Sequence, residues 1–228
     1  MSITNILIAV NVVAYVWLTS TGGLSSNEAL LQHGALLGIA CTEYGQWWRI
    51  VTGGFLHGGI AHIALNMIAL YQVGNIVELM FGRVRYVLLY AIALVGSGLA
   101  VVYAAPNEIT VGASGAIFGL FGALVAVGLR HGKRGRSLIT QVVPVIAINL
   151  VFTFTFPNIS AAGHIGGLLT GFVAGLLLYM VPSTRSYAYA YVTPPQDEPG
   201  VVTIDQPPEA AAHEEAGAPP LEHRDPRE

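Results

Sequence analysis

Six apolar runs, at roughly 3–19, 56–80, 85–105, 114–130, 138–156 and 161–181, constrain this chain more than any other feature of its sequence. As α-helices they are of the length that spans a bilayer with a hydrocarbon core of about 30 Å. Composition removes the soluble alternative. Of the 228 residues 54% are hydrophobic and only 10% are charged, where an average soluble domain carries roughly 25% charged residues. The 27 glycines of so apolar a chain point to closely packed membrane helices, because small residues let backbones approach. The expected fold class is an all-α polytopic membrane protein. No basic surface of the kind that binds nucleic acid is visible. The single cysteine, Cys41, excludes an intrachain disulfide.

No Lys or Arg precedes the first run and no small-residue cleavage site follows it, so it reads as a retained helix and not a signal peptide. Basic residues orient the chain. Arg83 and Arg85 lie between runs two and three, Arg130, Lys133, Arg134 and Arg136 between four and five, and Arg185 after run six. If six helices alternate, all of these share one side, which the positive-inside rule makes cytoplasmic. Both termini are expected there, in a multi-pass protein of a prokaryotic plasma membrane. Only Arg49 falls opposite, within the segment 20–52, beside Trp47 and Trp48 in a combination typical of a membrane interface. From Ser183 the composition changes. Nine of the twelve prolines lie in the last fifty residues, with Asp197, Glu198, Asp205, Glu209, Glu214 and Glu215 among them. Such a stretch cannot bury enough apolar surface to offset its ordering entropy. The expected organisation is a transmembrane domain at 1–182 and a disordered, acidic, Pro-rich cytoplasmic tail at 183–228.

Ionisable and polar residues inside membrane spans are costly, and each is a functional hypothesis. Run two opens with His57 and contains His62 and Asn66, run four opens with Gly112-Ala113-Ser114-Gly115, and run six with Gly163-His164-Ile165-Gly166-Gly167. Runs two, four and six all pass from outside to inside under the alternation, so His62, Ser114 and His164 share one depth just below the outer surface. A serine hydroxyl becomes nucleophilic when a neighbouring base accepts its proton, and histidine is the usual base. At the start of its helix Ser114 stands where unpaired N–H groups and the helix dipole favour an oxyanion. His62 and Asn66, spaced i, i+4, share a helical face and could supply further donors. His57 falls about 140° away around the helix and belongs to the loop or cap. Glycines at 163, 167, 171 and 175 facing Gly112, Gly115, Gly119, Gly122 and Ala123 permit the close approach that a Ser–His hydrogen bond needs. From Ser114 to Leu129 the fourth helix rises only about 24 Å, so its outer end stops below the surface, where water can reach the serine.

Two other readings are open at this point. His57, His62 and His164 could hold a metal, although no His-Glu-x-x-His is present and a single cysteine is available. Polar groups could also line a transport path, although they sit at helix ends on one side and not at the midplane of broken helices. Gly-x-Ser-Gly is moreover not the elbow of soluble hydrolases, since position 116 is alanine.

Taken in order, Trp47-Trp48-Arg49, His57 to His62 to Asn66, Gly112-Ala113-Ser114-Gly115-Ala116-Ile117-Phe118-Gly119 and Gly163-His164-Ile165-Gly166-Gly167 resemble the rhomboid intramembrane serine proteases over roughly residues 3–181. The resemblance implies a six-helix rhomboid-like bundle with a membrane-embedded loop between helices 1 and 2. It implies a dyad of Ser114 as nucleophile and His164 as base, without a third acidic member. His62, Asn66 and the backbone N–H of Ser114 would form the oxyanion hole, with Gly112, Gly115, Phe118 and His57 in support. Phe118 stands where some members have tyrosine; either ring could pack on His164, but phenylalanine brings no hydroxyl. Trp48 and Arg49 would anchor the first loop, and Glu78 would be structural. The implied reaction is hydrolysis of a peptide bond in or near a transmembrane helix of a substrate protein through an acyl-enzyme, with membrane lipid as the setting and no metal or organic cofactor. A catalytically inactive rhomboid-like binding protein is the alternative within the same family.

Overall fold

The computed structural model describes residues 1–157 and 159–179; the expected tail, and the end of the sixth run, lie outside the described residues. Among the described residues the regular structure is helical. In chain order it comprises α1 (Ile3–Ser20), α2 (Asn27–Gln32), α3 (Gly38–Tyr44), α4 (Arg49–Gly53), α5 (Ile60–Phe81), α6 (Arg83–Ala104), α7 (Ser114–Arg130), a short 3₁₀ turn (Gly132–Gly135), α8 (Arg136–Thr155) and α9 (Ala161–Leu178). Five of these segments, α1, α5, α6, α8 with its preceding turn, and α9, are long and apolar enough to cross a membrane, and α7 is a shorter apolar helix. The expected runs and the observed helices coincide except at their ends. Run two starts later, at Ile60, because Gly58 and Gly59 precede it and Gly59 serves as N-cap. Helix α9 stops at Leu178, where Tyr179 turns to extended backbone.

Helix α7 is the centre of the helical bundle among the described residues. Twelve of its 17 residues are buried, against three of 18 in α1. The outer helices instead present large apolar side chains outward, among them Val13, Val16, Ile68, Ile148, Phe154 and Leu177. That inversion suits a lipid solvent, where apolar exposure costs nothing and adhesion between helices must come from close packing.

The closest packing is between α7 and α9. A methyl built on Gly167 would run into the backbone of Gly115, one on Gly171 into Gly119, and one on Gly175 into Ala123. The offset in sequence is the same each time, so the two helices lie parallel and in register. A second glycine face of α9 meets α6, with Gly166 against Ala100 and Gly96 of α6 against Thr170. At the far end Arg130 donates to the carbonyls of Leu176 and Tyr179, both at 2.8 Å. It thereby satisfies carbonyls that the end of α9 leaves open.

The same far end gathers the other basic loop. The ring of Phe81, which closes α5, lies 5.3 Å from that of Tyr179, and Arg83 follows immediately. Helix α1 begins there too. The Glu78 carboxylate accepts from the backbone N–H groups of Ile3 and Thr4, both at 2.9 Å, and from the Thr4 hydroxyl at 2.9 Å, with Arg83 at 4.0 Å. A carboxylate on the first turn of a helix meets both its orphan donors and its dipole, which explains an acidic group inside an apolar span.

Between α1 and α5 the chain folds into the three short helices α2, α3 and α4. Arg49 holds them: its Nη1 donates to the carbonyls of Leu31 at 2.7 Å and Ala35 at 2.8 Å, and its guanidinium lies 4.7 Å from the Trp48 ring centroid. The loop in turn grips the segment leading to Ser114. Leu36 and Thr110 exchange backbone hydrogen bonds, and the Gly112 N–H donates to the Gly53 carbonyl at 2.9 Å.

Gly171→Ala is expected to lower stability by about 1–3 kcal/mol, the usual cost of overpacking, because neither backbone can yield. Gly59→Ala, where a methyl meets nothing within 4 Å, should stay within about 0.5 kcal/mol of the parent. Thermal unfolding in detergent distinguishes the two.

Candidate active site

The parallel pairing of α7 and α9 sets the first residues of both at one level. Helix α9 is capped by Ser160, whose Oγ accepts from the Gly163 N–H at 3.2 Å. One residue later comes His164, buried, with its backbone N–H on the Ser160 carbonyl. Helix α7 starts differently. Its N-cap is Ala113, which provides no side-chain cap, so the first N–H groups of α7, that of Ser114 foremost, are not taken up by a capping side chain. His164 Nε2 lies 2.8 Å from Ser114 Oγ.

The histidine ring is held from two further directions. Phe118, one turn along α7, stacks on it at 4.2 Å between centroids and 17° between planes. On the opposite nitrogen, Nδ1 lies 2.7 Å from Thr153 Oγ1, contributed by α8.

Gly112 opens the space beside the serine. Its φ of 124° is one that side-chain-bearing residues rarely adopt, and a methyl there would sit 2.7 Å from His62 Nε2 and 3.7 Å from Ser114 Oγ. Thus His62 and the serine both border the small space that the absent side chain of Gly112 leaves. Asn66 is buried one turn below His62 and donates through Nδ2 to the His62 carbonyl at 2.9 Å. That bond uses one of the two N–H groups of the amide. His57 lies in the loop before α5, as its angular position implied. It is fully buried, packed edge-on against His62 at 5.0 Å, and so forms a wall behind the second histidine. Gly115 faces away from this space, towards Ser97 of α6 and the carbonyl of Gly163; it admits the close approach of three helices.

The residues singled out in the sequence thus come to one place from three helix starts. Two neighbours were not singled out there: Thr153, in the middle of an ordinary apolar run, and Ser97, against which Gly115 packs. Serines and threonines in membrane helices usually bond to their own backbone, so nothing in one sequence marks either. Among the described residues no group of three or more His, Cys, Asp or Glu side chains could hold a metal ion, so the metal reading of the histidines lacks a ligand cluster. Cys41 is buried in α3, and burial pushes its thiol up, away from the thiolate that a nucleophile requires.

A family model described as the rhomboid domain matches residues 44–181. The chain belongs to the rhomboid family. It is 40% identical over 176 residues to rhomboid protease GluP of Bacillus subtilis (strain 168), covering 77% of this chain and 34% of that protein. It is 35% identical over 162 residues to RHOMBOID-like protein 6, mitochondrial, of Arabidopsis thaliana, covering 70% of this chain and 52% of that one. Against RHOMBOID-like protein 2 of the same plant it is 36% identical over 161 residues, 69% of this chain and 50% of the relative. The chain therefore spans about a third to a half of the length of these relatives.

Gly112→Ala is expected to close the space between His62 and Ser114. On the expectation that Ser114 is a nucleophile and His62 an oxyanion donor, labelling of Ser114 by a fluorophosphonate should slow about tenfold or more, the scale on which loss of such a donor acts, and the rate of label incorporation measures it.

Proposed function

We propose that this chain is an intramembrane serine endopeptidase that hydrolyses peptide bonds in or near the transmembrane helices of substrate proteins. The observation that carries the reading is the 2.8 Å contact between His164 Nε2 and Ser114 Oγ, at the open start of a buried helix in a membrane protein. In this mechanism Ser114 Oγ attacks the scissile carbonyl carbon while its proton passes to His164 Nε2. The carbonyl oxygen becomes an oxyanion beside the Ser114 backbone N–H, His62 and the remaining N–H of Asn66. Collapse breaks the C–N bond, and His164 returns the proton to the leaving amine. Water then attacks the acyl carbon as His164 Nε2 takes one of its protons; collapse breaks the C–Oγ bond, His164 returns that proton to Ser114 Oγ, and the acid product leaves. Phe118 and His57 act only by packing, the one on His164 and the other on His62, while Gly112 and Gly115 admit the close approaches.

A substrate helix must expose a carbonyl whose hydrogen bond it normally keeps, so helix-weakening residues around the cleaved bond favour turnover. Transmembrane substrate proteins are the partners on this reading, and the surrounding lipid is the solvent.

On this reading the ends of α5, α7 and α9 face the cytoplasm, as the positive-inside rule favours for their basic loops, with 183–228 as a tail there. The clustering of Arg83 and Arg130 at the end opposite Ser114 agrees with it.

Purified protein is expected to cleave a model transmembrane substrate, and Ser114→Ala and His164→Ala each to lose at least about a thousandfold in rate with unchanged unfolding curves and no effect of chelators. Undiminished cleavage by Ser114→Ala would sink the proposal. For orientation, the thiol of Lys133→Cys should react with an impermeant maleimide in inverted vesicles and not in right-side-out ones.

A further inference from the structure

The threonine on α8 does more than fill space beside the histidine, because its hydroxyl has only one proton to give. Thr153 Oγ1 lies 2.8 Å from the carbonyl oxygen of Asn149, one turn back on its own helix, and 2.7 Å from His164 Nδ1. A carbonyl oxygen carries no proton, so the first contact is attractive only when the hydroxyl donates to it. Oγ1 then faces Nδ1 with lone pairs alone, and Nδ1 must be the donor. A neutral imidazole has one N–H. Nε2 is left bare, and it is Nε2 that lies 2.8 Å from Ser114 Oγ.

The reverse assignment is poorer on every count. A threonine donating to Nδ1 would set two oxygen lone pairs against each other at the 2.8 Å separation from Asn149. It would also put the imidazole proton on Nε2, aimed at the serine, where a histidine cannot accept a proton. Thr153 and His164 are both buried, at 4% and 8% exposure, so bulk water does not readily replace either partner. Phe118 fixes the plane of the ring but says nothing about its protons; the ring edge is set by α8.

We propose that Thr153 is a positioning residue that keeps the proton of neutral His164 on Nδ1 and so presents a bare Nε2 to Ser114, an inference resting on the reading of these two as base and nucleophile. When the serine proton moves to Nε2, the Nδ1–H stays in place and its bond to Oγ1 strengthens with the new positive charge. No proton passes to the threonine. The hydroxyl and the Asn149 carbonyl together supply, in neutral form, the orientation that a buried carboxylate supplies in other serine hydrolases.

The test compares Thr153→Val, which keeps the branched shape and removes the hydroxyl, with Thr153→Ser, which keeps the hydroxyl, in full-length protein reconstituted in liposomes. Valine should lower kcat about tenfold or more, the rate equivalent of one hydrogen bond to an ionising group, with KM little changed, and serine should restore most of the rate. Nitrogen NMR of the imidazoles, with His164 assigned by its loss in His164→Gln, should find the proton on Nδ1 in the parent and redistributed towards Nε2 in Thr153→Val. A wild-type kcat in Thr153→Val, a serine variant as impaired as the valine one, or a parent ring protonated on Nε2 would each overturn the proposal. Cleavage surviving Ser114→Ala while the parent ring still carries its proton on Nδ1 would instead remove the protease reading and leave the tautomer assignment standing.

Discussion

The backbone-to-backbone contact of α7 with α9 is the constraint on which the rest of this structure depends. In lipid there is no hydrophobic gain in hiding one apolar helix against another, so adhesion comes from dispersion between closely packed atoms and from hydrogen bonds. Glycine at 115, 119, 167 and 171 removes the side chains that would hold the two backbones apart. The contacts repeat at a constant offset, and the bonds at the two ends, His164 to Ser114 and Arg130 to the carbonyls of α9, hold the pair in that register. The level of Ser114 relative to His164 follows from that register, and so does the meeting of Arg130 with the carbonyls at the end of α9. A slip of one turn along the pair would move Ser114 about 5.4 Å and break both ends together.

Around this pair, the irregular segments are positioned by hydrogen bonds where packing cannot do it. The approach to Ser114 is irregular backbone, with Gly112 at a φ of 124° and Ala113 in the helical region, and its polar groups need partners outside any helix. Leu36 and Gly53 supply them from the first loop, which Arg49 stiffens through two carbonyls. Glu78 plays the matching part at the other end, where it closes the first turn of α1. These are two charged residues in an apolar protein, and each bonds backbone groups, Glu78 the N–H groups of Ile3 and Thr4 and Arg49 the carbonyls of Leu31 and Ala35. The consequence for the site is rigidity: the space bounded by Gly112, His62 and Ser114 exists because the strands of chain around it are tied down.

Much of this was legible in one sequence because membrane proteins write their architecture in coarse features. The apolar runs located the helices to within a few residues, and their alternation anticipated that His62, Ser114 and His164, near the starts of α5, α7 and α9, meet at one end of the bundle. The glycine stripe of α9 foretold its contact with α7. What was not legible was local or lateral. The division of residues 20–52 into three short helices depends on carbonyls offered to Arg49, and no periodicity encodes that. The second glycine face of α9, towards α6, is indistinct from its neighbours until the rotation of the helix is known. Thr153 is a single hydroxyl in α8, and its sequence neighbours are as apolar as those of any lipid-facing residue.

By itself, then, the sequence determined that this chain crosses the membrane repeatedly, which side chains are too polar to be there without a reason, and that they stand near the starts of three helices. Hydropathy, charge asymmetry and glycine spacing act along the chain and can be read along it. Only the tertiary structure decided which helix faces meet: that the edge of His164 opposite Ser114 is met by Thr153, that Gly115 packs against Ser97 of α6, and that a methyl on Gly112 would meet both His62 and the serine. Those relations depend on rotation about helix axes and on contacts between residues far apart in sequence. They arise only once backbone packing has fixed the helices against one another.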